Sequence, residues 1–159
     1  MKADTPHSEV PLRDSLSAVA FVQSSHLFSD FADNALDALI DAGRLLEYRP
    51  GQLILSEGAV SDHLFLIFDG RVRVFKRQDG ITVELAQLDR PAVFGETGVL
   101  MQRTRNASVQ AIGDCRLVRF AGDTVRALAD EAPKFGRLLA TLMAGRSKET
   151  ERILQQAGS

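Results

Sequence analysis

From Val93 to Val109 the chain reads Val-Phe-Gly-Glu-Thr-Gly-Val-Leu-Met-Gln-Arg-Thr-Arg-Asn-Ala-Ser-Val. Phe94-Gly95-Glu96-Thr97-Gly98 and Arg105-Asn106-Ala107 are its chemically able parts. Gly95, lacking a Cβ, lets backbone approach a ligand. A short helix starting near Thr97 would offer free N–H groups and a positive dipole end to an anion. Arg105 adds a planar fork able to hold two phosphate oxygens at once. Glu96 has the opposite sign, and beside a phosphate it makes sense as an acceptor for a ligand hydroxyl. A carboxylate, an anion cradle and an arginine together describe a pocket for a sugar phosphate.

The competing reading is a structural ion pair between Glu96 and Arg105 at a barrel corner, since most charged pairs are solvated and contribute little. The two glycines and the helix start beside the pair favour a ligand. Other residues offer less chemistry. His7, His26 and His63 are isolated from one another and from carboxylate clusters, and read as surface or loop residues. They give no metal set, which disfavours a metal-dependent enzyme. Cys115 opens a strand far from any histidine in sequence and reads as a small apolar residue.

These residues need a scaffold. Glycines at 43, 51, 58, 70 and 80 separate short stretches of β-branched and aromatic residues. Leu64-Phe65-Leu66-Ile67-Phe68 ends at Asp69-Gly70, Arg71-Val72-Arg73-Val74-Phe75 alternates, and Asp79-Gly80 leads into Ile81-Thr82-Val83-Glu84-Leu85. Two Asp-Gly pairs flanked by strands are hairpin signals, and short strands at this spacing indicate a sandwich or barrel. Ala107–Ala111 and Cys115–Phe120 read as further strands. Helical spacing precedes them at Arg13–Gln23 (Leu16, Val19, Ala20, capped by Asp14 or Ser15) and at Asp33–Ala42 (Leu36, Leu39, Ile40), which Gly43 ends. After Gly122 the helical period returns over Asp123–Glu131. Pro133 then opens a longer helix with the stripe Phe135, Leu138, Leu139, Leu142, Met143 and further apolar residues at Ile153 and Leu154.

The expected fold is mainly β with flanking α: an eight-stranded, jelly-roll-like β-roll with N-terminal helices and two C-terminal helices. The expected layout has a disordered N-terminus over 1–12 and a single domain over 13–159. Helices occupy 13–43, the roll 44–121 with the site segment 93–109, and the C-terminal helices 122–156.

Composition narrows the function classes. The chain has 159 residues, 19 Lys+Arg against 21 Asp+Glu, and a formal charge of −2. The 15 arginines are scattered among acids, which argues against DNA as a direct partner. One cysteine excludes a disulfide framework. No apolar run approaches the roughly 20 residues of a membrane span. The polar start Met1-Lys2-Ala3-Asp4-Thr5-Pro6 is unlike a signal peptide, so a cytoplasmic location is expected.

Phe94-Gly95-Glu96 followed by Arg105-Asn106-Ala107-Ser108-Val109 resembles the phosphate-binding cassette of the cyclic nucleotide-binding domain family. Arg49-Pro50-Gly51-Gln52-Leu53-Ile54-Leu55-Ser56-Glu57-Gly58 resembles that family's first hairpin, and Leu64-Phe65-Leu66-Ile67-Phe68-Asp69-Gly70-Arg71-Val72 its central strand pair. The likeness runs from about Phe28 to Gln156. It implies that Arg105 pairs with a cyclic phosphate and that Glu96 accepts from the ribose 2′-hydroxyl. Backbone amides of Gly98 and its neighbours, with those around Asn106 and Ala107, would complete the cradle. Val74 and Leu85 would flank the base, and the last helix, between Leu139 and Thr150, would close as a lid. Two departures stand out. Asn106 replaces the family's frequent Ser or Thr, a threonine there going with guanine preference, and Leu88-Asp89-Arg90-Pro91-Ala92 replaces its usual Gly-Asp turn.

The resemblance therefore implies a sensor and not an enzyme. It would bind cyclic AMP in preference to cyclic GMP, without cofactor or metal, and signal through its C-terminal helix. Partners would be a separate effector or a second copy joined through that helix, where Ile153 and Leu154 suit a helix–helix contact. A sensor fragment of a longer chain and a ligand-independent interaction or dimerisation module with a vestigial pocket are the alternatives.

Overall fold

The computed structural model describes residues 1–101 and 104–158. Gln102 and Arg103 of the site segment, and Ser159 at the expected domain end, lie outside the described residues. Among the described residues, nine strands form two antiparallel sheets. They are β1 (Ser8–Pro11), β2 (Arg44–Tyr48), β3 (Leu53–Leu55), β4 (His63–Asp69), β5 (Arg71–Gln78), β6 (Ile81–Asp89), β7 (Val93–Phe94), β8 (Ser108–Ala111) and β9 (Cys115–Ala121). One sheet has the order β1-β2-β9-β4-β7 and the other β3-β8-β5-β6. The helices are α1 (Leu16–Gln23), α2 (Asp33–Ala42), α3 (Glu96–Met101), α4 (Gly122–Ala129) and α5 (Pro133–Ala157). The architecture is the expected mainly β roll with flanking helices, with one strand more than the eight expected.

The extra strand lies in the segment expected to be disordered. Residues 1–12 are tied down: β1 pairs antiparallel with β2, and the Asp4 amide donates to the Leu53 carbonyl at 2.8 Å. Ser8-Glu9-Val10-Pro11 alternates in burial but contains one apolar residue besides the proline, too little to register as a strand in sequence. The expected helix over Arg13–Gln23 splits into a 3-10 turn, Leu12–Asp14, and α1. Of the two candidate caps the structure uses Ser15, whose side chain accepts from the Ala18 amide. The buried face of α1 is Ala18, Val19, Phe21 and Val22, whereas Leu16 is 86% exposed and Ala20 also faces outward. Phe21 anchors the buried face by packing on Phe68 with ring centroids 5.3 Å apart.

The central strands are buried on both faces, which is why Leu64–Phe68 reads as an unbroken apolar run. Leu64, Leu66 and Phe68 of β4 join Val118 and Phe120 of β9 in a core shared with the helices. Phe65 and Ile67, with Leu117 and Cys115, face the interior of the roll. An aromatic group of Phe28, Phe31, Phe120 and Phe135 joins the N-terminal helical segment, β9 and α5. Gly43 is required for space: a Cβ there would lie 2.8 Å from Leu12. At the β5–β6 turn Asp79 and Gly80 both take positive φ, 54° and 79°, as a tight two-residue hairpin requires. The β5–β6 register slips between Val74 and Phe75, so Leu85 has no partner across the ladder and is re-aimed as a bulge residue. No helix among the described residues is long and apolar enough to cross a membrane.

Candidate ligand-binding site

All ten residues expected at the site line one cavity: Val74, Leu85, Phe94, Gly95, Glu96, Thr97, Gly98, Arg105, Asn106 and Ala107. Leu55, Ala86, Leu88 and Val109 add apolar wall, and Arg146, Glu149 and Thr150 of α5 form the roof. The wall follows from the roll, because β3, β8, β5 and β6 turn alternate apolar residues toward the cavity. Phe65 and Phe94 stack beneath it with centroids 4.9 Å apart.

Glu96 and Arg105 are 4% and 5% exposed, and they do not pair with each other. Arg105 is held by fixed acceptors. Nη1 donates to the Gly95 carbonyl at 2.9 Å, and Nη2 to the His63 carbonyl at 2.8 Å and the Ser61 hydroxyl at 3.2 Å. Its buried Nε has no hydrogen-bond partner among the described residues. Burial pushes the Arg105 pKa down, while Asp62 and Glu96 oppose the shift. A buried guanidinium with a donor to spare fits an anionic ligand.

The glycines serve the arginine. Gly95 sits at φ 89°, and a Cβ on it would lie 2.6 Å from the His63 carbonyl and 3.3 Å from the guanidinium. A Cβ on Gly98 would come within 2.9 Å of Arg105 Cζ. The close approach expected between Gly95 and a ligand is thus made by Arg105.

Glu96 opens α3 and accepts from Arg146 Nη1 of α5 at 3.0 Å. Sequence reasoning placed the lid between Leu139 and Thr150 but gave Arg146 no role. The signal was present: Phe135, Leu139, Leu142, Arg146 and Thr150 recur at spacings of three and four, so Arg146 and Thr150 continue the apolar stripe. Farther along, Ile153 and Leu154 are half-buried, and the Leu154 carbonyl accepts from Gln78.

Two supports were not legible. Lys76 donates to the Asn106 carbonyl and to Glu57, both at 2.9 Å, bracing the strand-side arm of the site. Arg126 of α4 grips Asp62 with two bonds of 2.7 and 2.8 Å and donates to the Val99 carbonyl of α3. That fork holds the Asp62 carboxyl below its ordinary range, burial opposing. His63 is half-buried at the start of β4 and not a loop residue as expected. Cys115 is buried, and its thiol donates to the Arg71 carbonyl.

A two-sheet roll whose apolar cavity is lined by a buried Arg105 and Glu96 and roofed by a helix has the form of a ligand-binding domain. A sequence model described as the cyclic nucleotide-binding domain matches residues 45–132. The chain belongs to the cyclic nucleotide-binding domain family. It is similar to the cyclic AMP receptor protein of Thermus thermophilus, 29% identical over 131 residues, 82% of this chain and 61% of that one. It is also similar to the cAMP-dependent protein kinase regulatory subunit of Schizosaccharomyces pombe, 31% identical over 101 residues, 64% and 21% of the two chains. The crystal structure of the Thermus thermophilus catabolite activator protein superposes with a TM-score of 0.69 at 29% identity, over 84% of this chain and 63% of that chain. The chain thus spans less than two thirds of these curated relatives.

Proposed function

We propose that this domain is a sensor for a cyclic purine mononucleotide, cyclic AMP in preference to cyclic GMP, and that it signals through α5. The observation that carries the reading is the buried Arg105, with Nε unpartnered, set beside the buried Glu96 at one apolar cavity. The cyclic phosphate is the anion for Arg105. Glu96 accepts Arg146 on Oε2, and its second oxygen is available to a ribose 2′-hydroxyl. Val74 and Leu85 lie against the base. Adenine brings an exocyclic amine and one ring acceptor into this apolar space, whereas guanine brings a carbonyl, a ring N–H and an amine, each costly to bury unpaired. Asn106 supplies no hydroxyl where a threonine would favour guanine.

The C-terminal helix mechanism has a physical anchor in Arg146. Entry of the sugar at Glu96 changes the environment of its only described cationic partner, and α5 carries that partner. Ligand then biases α5 between two positions through differential contacts. The reading is of a binding module, since Arg105 and Glu96 are held in place as a donor and an acceptor for a ligand. A homodimer through the distal part of α5 or a separate effector would receive the signal. The Glu96–Arg146 pair also favours a second reading, an interaction module that stays closed without ligand. Calorimetric titration with both cyclic nucleotides separates the two: binding with cyclic AMP the tighter ligand supports the sensor, and no heat with either at millimolar concentration supports the interaction module.

A further inference from the structure

The N-terminal segment lies outside the cavity but is linked to Arg105 by a chain of hydrogen bonds. Its first residues run along β3 at the edge of one sheet, and β1 then pairs with β2 at the edge of the other. Asp4 makes a two-way clasp with Leu53: its amide donates to the Leu53 carbonyl at 2.8 Å, and its Oδ2 accepts from the Leu53 amide at 2.7 Å. Gln52 donates to the Thr5 carbonyl at 3.1 Å, and the buried Ser56 hydroxyl donates to the Met1 carbonyl at 2.7 Å.

Ser56 begins the turn that clasps Arg105. Its carbonyl accepts from the Ala59 amide, the Ala59 carbonyl accepts from the Arg105 amide at 2.9 Å, and the Gly58 amide donates to the Arg105 carbonyl at 2.8 Å. The next residue, Glu57, donates its amide to the Ser108 hydroxyl and accepts from Lys76 on its carboxylate, and Lys76 also donates to the Asn106 carbonyl. The backbone of Arg105 and the Ser108 hydroxyl are therefore bonded to a turn that is itself bonded through Ser56 to Met1.

We propose that residues 1–7 are a positioning strap for the phosphate site, with Asp4 and Ser56 as its positioning residues. Docking of the strap on β3 fixes the 56–59 turn and holds Arg105 ready for the anion. By linkage, ligand bound at Arg105 tightens the strap to the same degree. This rests on the sensor reading above for its ligand but on the hydrogen-bond chain for its mechanism.

The test uses the full chain with three variants: Asp4→Ala combined with Ser56→Ala, Ser56→Ala alone, and Asp4→Asn, which keeps an acceptor for the Leu53 amide. Cyclic AMP titration is paired with amide hydrogen exchange at Asp4, Leu53, Gly58 and Arg105. The double variant, still folded by its thermal transition, is expected to bind about fivefold more weakly. It should exchange faster at Gly58 and Arg105. Asp4→Asn should restore parental affinity, and saturating cyclic AMP should slow exchange at Asp4 and Leu53 in the parent. If the parent binds but the double variant binds equally well with unchanged exchange at Gly58 and Arg105, residues 1–7 merely cover sheet edges and the proposal is overturned. A parent that binds neither nucleotide refutes the sensor reading instead. Exchange at Gly58 and Arg105 then still decides whether the strap holds the arm.

Discussion

Glu96 on α3 and Arg146 on α5, fifty residues apart in sequence, meet at 3.0 Å over the cavity, while Arg105, the nearer arginine in sequence, is turned to backbone carbonyls. The charges of the site are thus divided between two tasks. Arg105 is built into the floor by neutral acceptors, and its Nε is without a hydrogen-bond partner among the described residues. Glu96 ties the floor to the roof. Removing Arg146 leaves a buried carboxylate without its cation, a costly state. Arg146→Gln is expected to lower the thermal transition and to speed cyclic AMP dissociation by roughly tenfold, the loss of about 1.4 kcal/mol. Stopped-flow displacement reads the rate, and an unchanged rate would separate α5 from ligand retention.

Glu96→Gln keeps the side chain's size and removes its charge. Binding of cyclic AMP should weaken, and the preference for ribose over 2′-deoxyribose nucleotides should narrow. Titration with both sugars gives the ratio.

Arg105→Lys replaces three donors fixed to Gly95, His63 and Ser61 by a point charge that cannot span them. A loss of about 1.5–3 kcal/mol in binding is expected, the range for a hydrogen bond to a charged group. Equal affinity in calorimetry would show that Arg105 does not hold the phosphate. Gly98→Ala attacks the same arginine from the other side, since the new methyl collides with the guanidinium. Because that neighbour is tied at both nitrogens, it cannot swing away, and both stability and affinity should fall.

How much of this was legible in sequence depends on whether a residue acts through its own type or through its neighbours. That Gly95, Glu96 and Arg105 belong to one place was readable from their types and spacing, and Leu85, expected from the resemblance, lines the same cavity. The partner of Glu96 was not readable as a pair, since only the fold of α5 over the roll brings Arg146 to it. The order of residues 1–12 was hidden for another reason. Their hydrogen bonds are made by backbone, Asp4 and Ser56, groups whose pairing leaves no hydrophobic period. The face of α1 was misplaced because its neighbours, Phe68 among them, choose between two stripes that the periodicity left nearly equal.

Stability should depend on pH through His63. Burial pushes its imidazole below the ordinary 6.5, Arg119 and Arg105 add to the shift, and Asp62 and Glu9 oppose it. With the folded pKa below the unfolded one, the unfolded chain binds the proton more readily. Stability attributable to this group is therefore constant above about 6.5 and falls as pH drops toward the folded value. His63→Gln should flatten the slope of the thermal transition between pH 7 and 5. A slope unchanged by the substitution would assign the acid loss to other groups.

The base site gives the last prediction, because its wall and its roof should act differently. Leu85, half-buried on the β6 bulge, offers only apolar contact, which either purine can use. Leu85→Ala should weaken cyclic AMP and cyclic GMP by similar amounts, about 1–2 kcal/mol for two to three methylene-sized groups lost from contact. Thr150 is different, since its hydroxyl is one of few polar groups on the roof, beside a Glu149 already engaged by Arg152. Thr150→Val keeps the shape and removes the hydroxyl. Adenine then loses at most one partner for its amine, whereas guanine must bury three polar groups against a drier roof. The ratio of cyclic GMP to cyclic AMP dissociation constants should rise in Thr150→Val and stay constant in Leu85→Ala. A ratio that moves with Leu85 and not with Thr150 would place the base's polar edge away from α5.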